Sequence, residues 1–70
     1  MDFLDIFGSN LHNQRITARL TQEQLAELCN FHRTYIGLLE SGKRNPSLKT
    51  IILLSQNLNC KVNDLLKGID

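Results

Sequence analysis

Apolar residues recur along this chain at the three- and four-residue steps of a helix, and no stretch sustains the two-residue alternation of a strand. Five short helical segments follow from that pattern. The first runs from Asp2 or Asp5 to about Ala18, with Leu4, Phe7, Leu11 and Ala18 along one face and two acids at the end where a helix favours negative charge. The second opens on Thr21-Gln22-Glu23-Gln24, a capping box in which Thr21 and Gln24 satisfy each other's backbone amides. Its apolar face is Leu25, Ala26 and Leu28, and Asn30 can take the left-handed stop beyond Cys29. The third covers about Arg33 to Ser41, with Gly42 as its terminator. Ile36, Leu39 and Glu40 share its inward side; Arg33, Thr34, Gly37, Leu38 and Ser41 share the other. Pro46 blocks continuation, and Ser47 caps a fourth helix carried by Leu48, Ile51, Ile52, Ser55 and Leu58, with Asn59 as its stop. A last short helix, about Val62 to Lys67, contributes Val62, Leu65 and Leu66. The expected fold is all-α: one compact five-helix domain over residues 1–70.

Length narrows the range of functions. Seventy residues allow one domain. A domain this small buries only about 60% of the surface its unfolded chain exposes. A catalytic cleft with a separate cofactor lobe does not fit. The longest apolar run, Ile51 to Leu54, falls far short of the ~20 residues of a membrane span. The acidic start, Met1-Asp2-Phe3-Leu4-Asp5, is unlike a secretory signal. Cys29 and Cys60 stand far apart with only His12 and His32 beside them, so a metal site is not expected. They read as thiols buried in a reducing cytoplasm. With no nucleophile–base set and no phosphate loop, the chain reads as a non-enzyme without cofactor or small-molecule ligand.

The chemistry lies in the second and third segments. Two short helices joined by a three- to four-residue turn, here Thr21 to Ser41, make a helix-turn-helix. In such units the second helix enters the major groove of DNA and presents its N-terminal residues to base edges. Arg33 can bridge the O6 and N7 of a guanine, and Thr34 can bond a base or pack on a thymine methyl. Gly37 is unfavourable in a helix interior by about 1 kcal/mol relative to Ala, which close approach to a groove would explain. Leu38 lies on the same face. Singly, each has a structural reading: a solvated charge, a packing accommodation, a wider core stripe. Gathered behind a capped helix and a tight turn, they favour base reading. Gln22 at the free-amide end of the second helix, the Tyr35 hydroxyl, and Lys43-Arg44-Asn45 past the third helix are candidates for phosphate contacts. Glu40 faces inward, where an unpaired carboxylate is expensive, and Arg15 on the first helix is its expected partner.

The joint pattern Leu20-Thr21-Gln22-Glu23-Gln24-Leu25-Ala26, Arg33-Thr34-Tyr35-Ile36 and Glu40-Ser41-Gly42-Lys43-Arg44-Asn45-Pro46-Ser47-Leu48 resembles the phage-repressor and Cro family, the xenobiotic-response-element type of helix-turn-helix. The resemblance covers about Phe7 to Leu66. It implies a five-helix lambda-repressor-like domain acting as a homodimer on a palindromic operator. It also implies base reading by Arg33, Thr34, Gly37 and Leu38, phosphate clamping by Gln22, and an internal Arg15–Glu40 salt bridge. Arg19 stands where the family commonly has Gly, His32 where it has Ser, Thr or Asp, and Leu38 where a polar base reader is common. A free-standing chain of this size is most similar to the controller proteins of restriction–modification systems. Short phage or plasmid repressors, and antitoxins or antirepressors that use the fold to bind protein, are the alternatives.

A single small domain reads few base pairs, so two-fold pairing with half-sites about 34 Å apart is expected. Leu53, Val62, Leu66 and Ile69 are the candidate dimer patch. The net charge of +1 conceals an uneven distribution. Residues 1–14 carry two acids and no Lys or Arg, residues 15–49 carry six basic and three acidic side chains, and residues 50–70 balance. The expected partners are duplex DNA and a second copy of the chain, with no membrane.

Overall fold

The computed structural model describes residues 2–70. Five helices follow in order: α1 (Phe3–Thr17), α2 (Gln22–Cys29), α3 (Arg33–Glu40), α4 (Leu48–Leu58) and α5 (Val62–Leu66). No strand occurs among the described residues, and no helix there is long and apolar enough to cross a membrane.

Local chemistry sets the boundaries. Asp2 accepts the Leu4 amide at the start of α1. At α2 the Gln24 amide donates to Thr21 Oγ1 (3.0 Å) while Gln24 Oε1 accepts the Thr21 amide (2.8 Å), completing the capping box. Ser47 Oγ accepts the Thr50 amide at α4, and the Asp64 carboxylate accepts the Lys61 amide at α5. Four helices end in one geometry, turning on a left-handed residue: Arg19 (φ 60°), Asn30 (58°), Gly42 (75°) and Asn59 (55°). Beyond α3, for example, Lys43 donates to the Leu38 carbonyl and Gly42 to the Leu39 carbonyl. Arg19 shows that its departure from Gly leaves the turn intact, at the usual expense of about 1–2 kcal/mol for a side chain in this region.

The core gathers Phe7, Leu11, Leu25, Ala26, Cys29, Ile36, Leu39, Leu54, Leu58 and Leu65. It forms where α1 packs on α3 and α5, α2 on α3 and α4, and α4 on α5. Several expected faces are rotated. Ala18 lies past the last turn of α1 and is exposed; Gly8 and Arg15 join Phe7 and Leu11 inside. Leu28 is exposed, and Cys29 takes its place because α2 is covered by α3 on one side and α4 on the other. On α4, Leu48 and Ile52 face outward, whereas Thr50, Leu54, Ser55 and Leu58 are buried, on a helix that packs against α2 and α5. The periodicity identified the helices, but the direction of each stripe depends on which side a neighbour covers.

Two contacts fix α1 against its neighbours. Asn10 Nδ2 donates to the carbonyls of Leu65 and Lys67, both at 2.9 Å, and so anchors α5. Gly8 lies where the end of α3 crosses. A Cβ there would meet the Glu40 carbonyl oxygen at 2.5 Å and that of Leu39 at 2.7 Å. Cys29 and Cys60 are free, and burial pushes both thiols up from their ordinary range.

Candidate nucleic-acid interface

Only Asn30, Phe31 and His32 separate α2 from α3. Ile36 and Leu39 are fully buried and hold α3 by one side. Its other side is free: Arg33, Thr34 and Ser41 are exposed, and Gly37 and Leu38 half-buried. His32 starts the helix with Nδ1 accepting the Thr34 amide at 3.1 Å.

Gly37 has no evident packing role. A Cβ added there would meet nothing nearer than Gln22 Oε1 at 3.7 Å, an ordinary contact. Gln22 leans over α3 from the first turn of α2, and its Nε2 approaches Glu40 Oε1 at 3.4 Å. Both line an open groove of about 410 Å³ between α1, α2 and α3.

Beneath it, Glu40 is the meeting point of three helices. Arg15 Nε donates to Oε2 at 2.6 Å and Nη2 to Oε1 at 3.1 Å, while Nη1 donates to the Leu20 carbonyl at 2.8 Å. His12 Nδ1 lies 2.9 Å from Oε1 and becomes a donor to it when protonated there. Burial pushes the Glu40 carboxyl up, but hydrogen bonds from Arg15, His12 and Gln22, with the Arg15 charge, outweigh it and hold the carboxyl below its ordinary range. The carboxylate thus ties α3 to α1 and to the first turn of α2.

The structure places the remaining candidates as follows. Lys43, Arg44 and Asn45 are exposed beyond α3. The Tyr35 hydroxyl is engaged with Thr50 Oγ1 at 3.1 Å instead of projecting outward. Its ring meets Phe31 edge-on, and the Arg44 guanidinium lies 5.4 Å from the ring centre. Tyr35 therefore joins α3 to the start of α4 and steadies Arg44 by a cation–π contact. Arg33 faces outward but not alone: its Nε is 3.1 Å from Glu23 Oε2. Leu66 and Ile69 pack against the core, while Leu53 and Val62 are half-buried. Gly8, His12 and Glu23 were not singled out by sequence. The available signals were a glycine inside an apolar helix, and the spacing of Gly8, His12 and Arg15 along one face of α1.

Comparison with known proteins agrees with this geometry. Residues 11–65 match the family described as helix-turn-helix. Control protein C.SmaI of Serratia marcescens is 46% identical over 66 residues, covering 94% of this chain and 79% of that protein. The crystal structure of the restriction–modification controller protein C.AhdI from Aeromonas hydrophila superposes with a TM-score of 0.85 at 39% identity, over 89% of this chain and 94% of that one. The controller protein C.Esp1396I, solved as a tetramer with its natural 35 base-pair operator, gives 0.80 at 27% identity over 96% and 99%. With most of its length matched and its recognition unit formed as described, the chain belongs to the helix-turn-helix family, and within it is similar to restriction–modification control proteins.

Proposed function

We propose that this chain is a sequence-specific transcription regulator of the restriction–modification controller type, a non-enzyme acting in the cytoplasm as a homodimer on a palindromic operator. The observation that carries the reading is the free side of α3. Its first turn offers Arg33 and Thr34, and its middle holds a glycine where an added Cβ would make only an ordinary contact, with Gln22 Oε1 at 3.7 Å. Such a helix can sink into a groove ≈ 12 Å wide with little side chain in the way. Arg33 and Thr34 read base edges, with Gly37 and Leu38 at the closest approach; Gln22, Lys43, Arg44 and Asn45 hold phosphates.

Dimension supports pairing. The chain measures 30 × 22 × 21 Å, and half-sites one turn apart lie about 34 Å from centre to centre, so one copy serves one half-site. The similarity to C.Esp1396I, which carries its operator as a tetramer, supports the same reading. Leu53 and Val62 remain the proposed contact, joined by the exposed Ile52; Leu66 and Ile69 contribute less because the core already holds them.

A gel shift with the DNA just upstream of this protein's own gene tests the proposal. A band that survives competitor DNA and weakens steeply with salt is expected. Binding of that DNA no tighter than of competitor would refute operator recognition, and sedimentation showing only monomer at tens of micromolar would refute the pairing.

A further inference from the structure

The contact between Arg33 and Glu23 carries more than its surface position suggests. Arg33 is the first residue of α3, and a cation at the positive end of a helix is locally unfavourable. Glu23 lies in the first turn of α2 and reaches across the turn to it. Both side chains are about three-fifths exposed, 61% for Arg33 and 62% for Glu23, so the pair contributes little to folding. A carboxylate on a face meant for phosphates is also unfavourable for binding. An acid in the first turn of α2 suits that helix's positive end by about 0.3–1 kcal/mol, but it does nothing for general DNA affinity.

The geometry points to Glu23 as a specificity-determining positioning residue: by holding Arg33 Nε, it aims the guanidinium at a guanine. Guanidinium donors are fixed in a planar fork. The carboxylate lies 3.1 Å from Nε, at the side edge of that fork. A guanidinium held from its Nε edge can still offer its two terminal nitrogens to the O6 and N7 of one base. A long side chain that would otherwise lose its rotamer freedom on binding is already constrained. A phosphate could compete for the same guanidinium, and the carboxylate disfavours that off-register contact by occupying Nε and by repulsion.

This inference rests on the reading of Arg33 as a base reader, and the experiment separates the two. A duplex is selected from a random pool by the wild-type chain, and a second duplex replaces the guanine that Arg33→Ala ceases to distinguish. Binding to both, and to alternating-sequence competitor DNA, is measured for wild type, Glu23→Gln, Glu23→Ala, Arg33→Ala and the Glu23→Ala/Arg33→Ala pair. The expected result is that Glu23→Gln and Glu23→Ala bind competitor DNA as tightly as wild type or more tightly. Both should lose about three- to tenfold of the discrimination at that guanine, the scale of freeing one constrained side chain. In the Arg33→Ala background, Glu23→Ala should change discrimination no further. Thermal unfolding of the Glu23 variants should stay within the ~0.3–1 kcal/mol that an acid in a helix's first turn contributes, excluding loss of fold as the cause. If Glu23→Ala tightens both duplexes equally, Glu23 acts only through its charge and the positioning role is refuted. If Arg33→Ala leaves every base equally distinguished, the base-reader reading fails first, and this inference with it.

Discussion

Replacing Gly37 by Ala should strengthen the fold and weaken operator binding at once. Gly37 lies inside α3, four residues beyond its first position. Glycine there is unfavourable by about 0.8–1.0 kcal/mol relative to Ala. An added Cβ finds only Gln22 Oε1 at 3.7 Å, so no collision offsets the gain. A gain of that size raises the melting temperature of a 60–100-residue domain by roughly 4–8 °C. If Gly37 lies where α3 approaches the groove most closely, the same methyl holds the helix off the bases. Operator affinity then falls by about 1–3 kcal/mol, the scale of one good base contact. Calorimetry or thermal circular dichroism reads the first effect, and titration of labelled operator the second. A stabilised variant that binds like wild type would refute the placement of Gly37 at the groove. A destabilised variant would refute the claim that the fold has no need of glycine there.

Four further outcomes follow. Gly8→Ala should destabilise by about 1–3 kcal/mol, the usual penalty of overpacking, because its Cβ would drive into the carbonyls of Leu39 and Glu40; a denaturant midpoint equal to wild type would contradict this. Arg19→Gly should stabilise by up to about 1 kcal/mol, since relief of left-handed strain exceeds the added freedom of the unfolded chain, and urea titration reads it. Replacing Arg15 or Glu40 alone by Met should cost about 3 kcal/mol through an orphaned buried charge, and the double replacement less than the sum; additivity in the cycle would contradict the coupling. Glu40 is held low in the folded state, so its contribution is complete above the ordinary Glu value of about 4.3 and is lost as pH falls through the lower folded value; Glu40→Gln should remove that part of the acid dependence in denaturation curves.

Much of this was legible in the sequence because it rests on local chemistry. The Thr21–Gln24 box, the Asn30, Gly42 and Asn59 stops, and the two faces of α3 each depend on residues a few positions apart. The Arg15–Glu40 contact was legible for another reason: a carboxylate on an apolar face demands a partner, and few cations face inward. What stayed hidden depends on which surfaces meet. Leu48 and Ile52 continue a helical stripe as well as Leu54 does, and only the placement of α2 and α5 decides between them. Gly8 was silent until α3 was seen to cross it. The Tyr35 hydroxyl turned toward Thr50 because the cap of α4 lies beside α3, a proximity that their separation in sequence does not reveal. The Glu23 contact likewise required the turn to bring the first turns of α2 and α3 together.

The division of labour on this face is tested most directly by Arg33→Ala and Lys43→Ala, titrated in parallel against a selected operator, its single-base variants and competitor DNA. Arg33→Ala should lose about 1–3 kcal/mol on the operator and relax preference at one base position, leaving competitor binding nearly unchanged. Lys43→Ala should weaken every duplex alike and lower the salt dependence by about one phosphate contact. Two variants with the same profile would contradict the assignment of α3 to reading and the loop beyond it to anchoring.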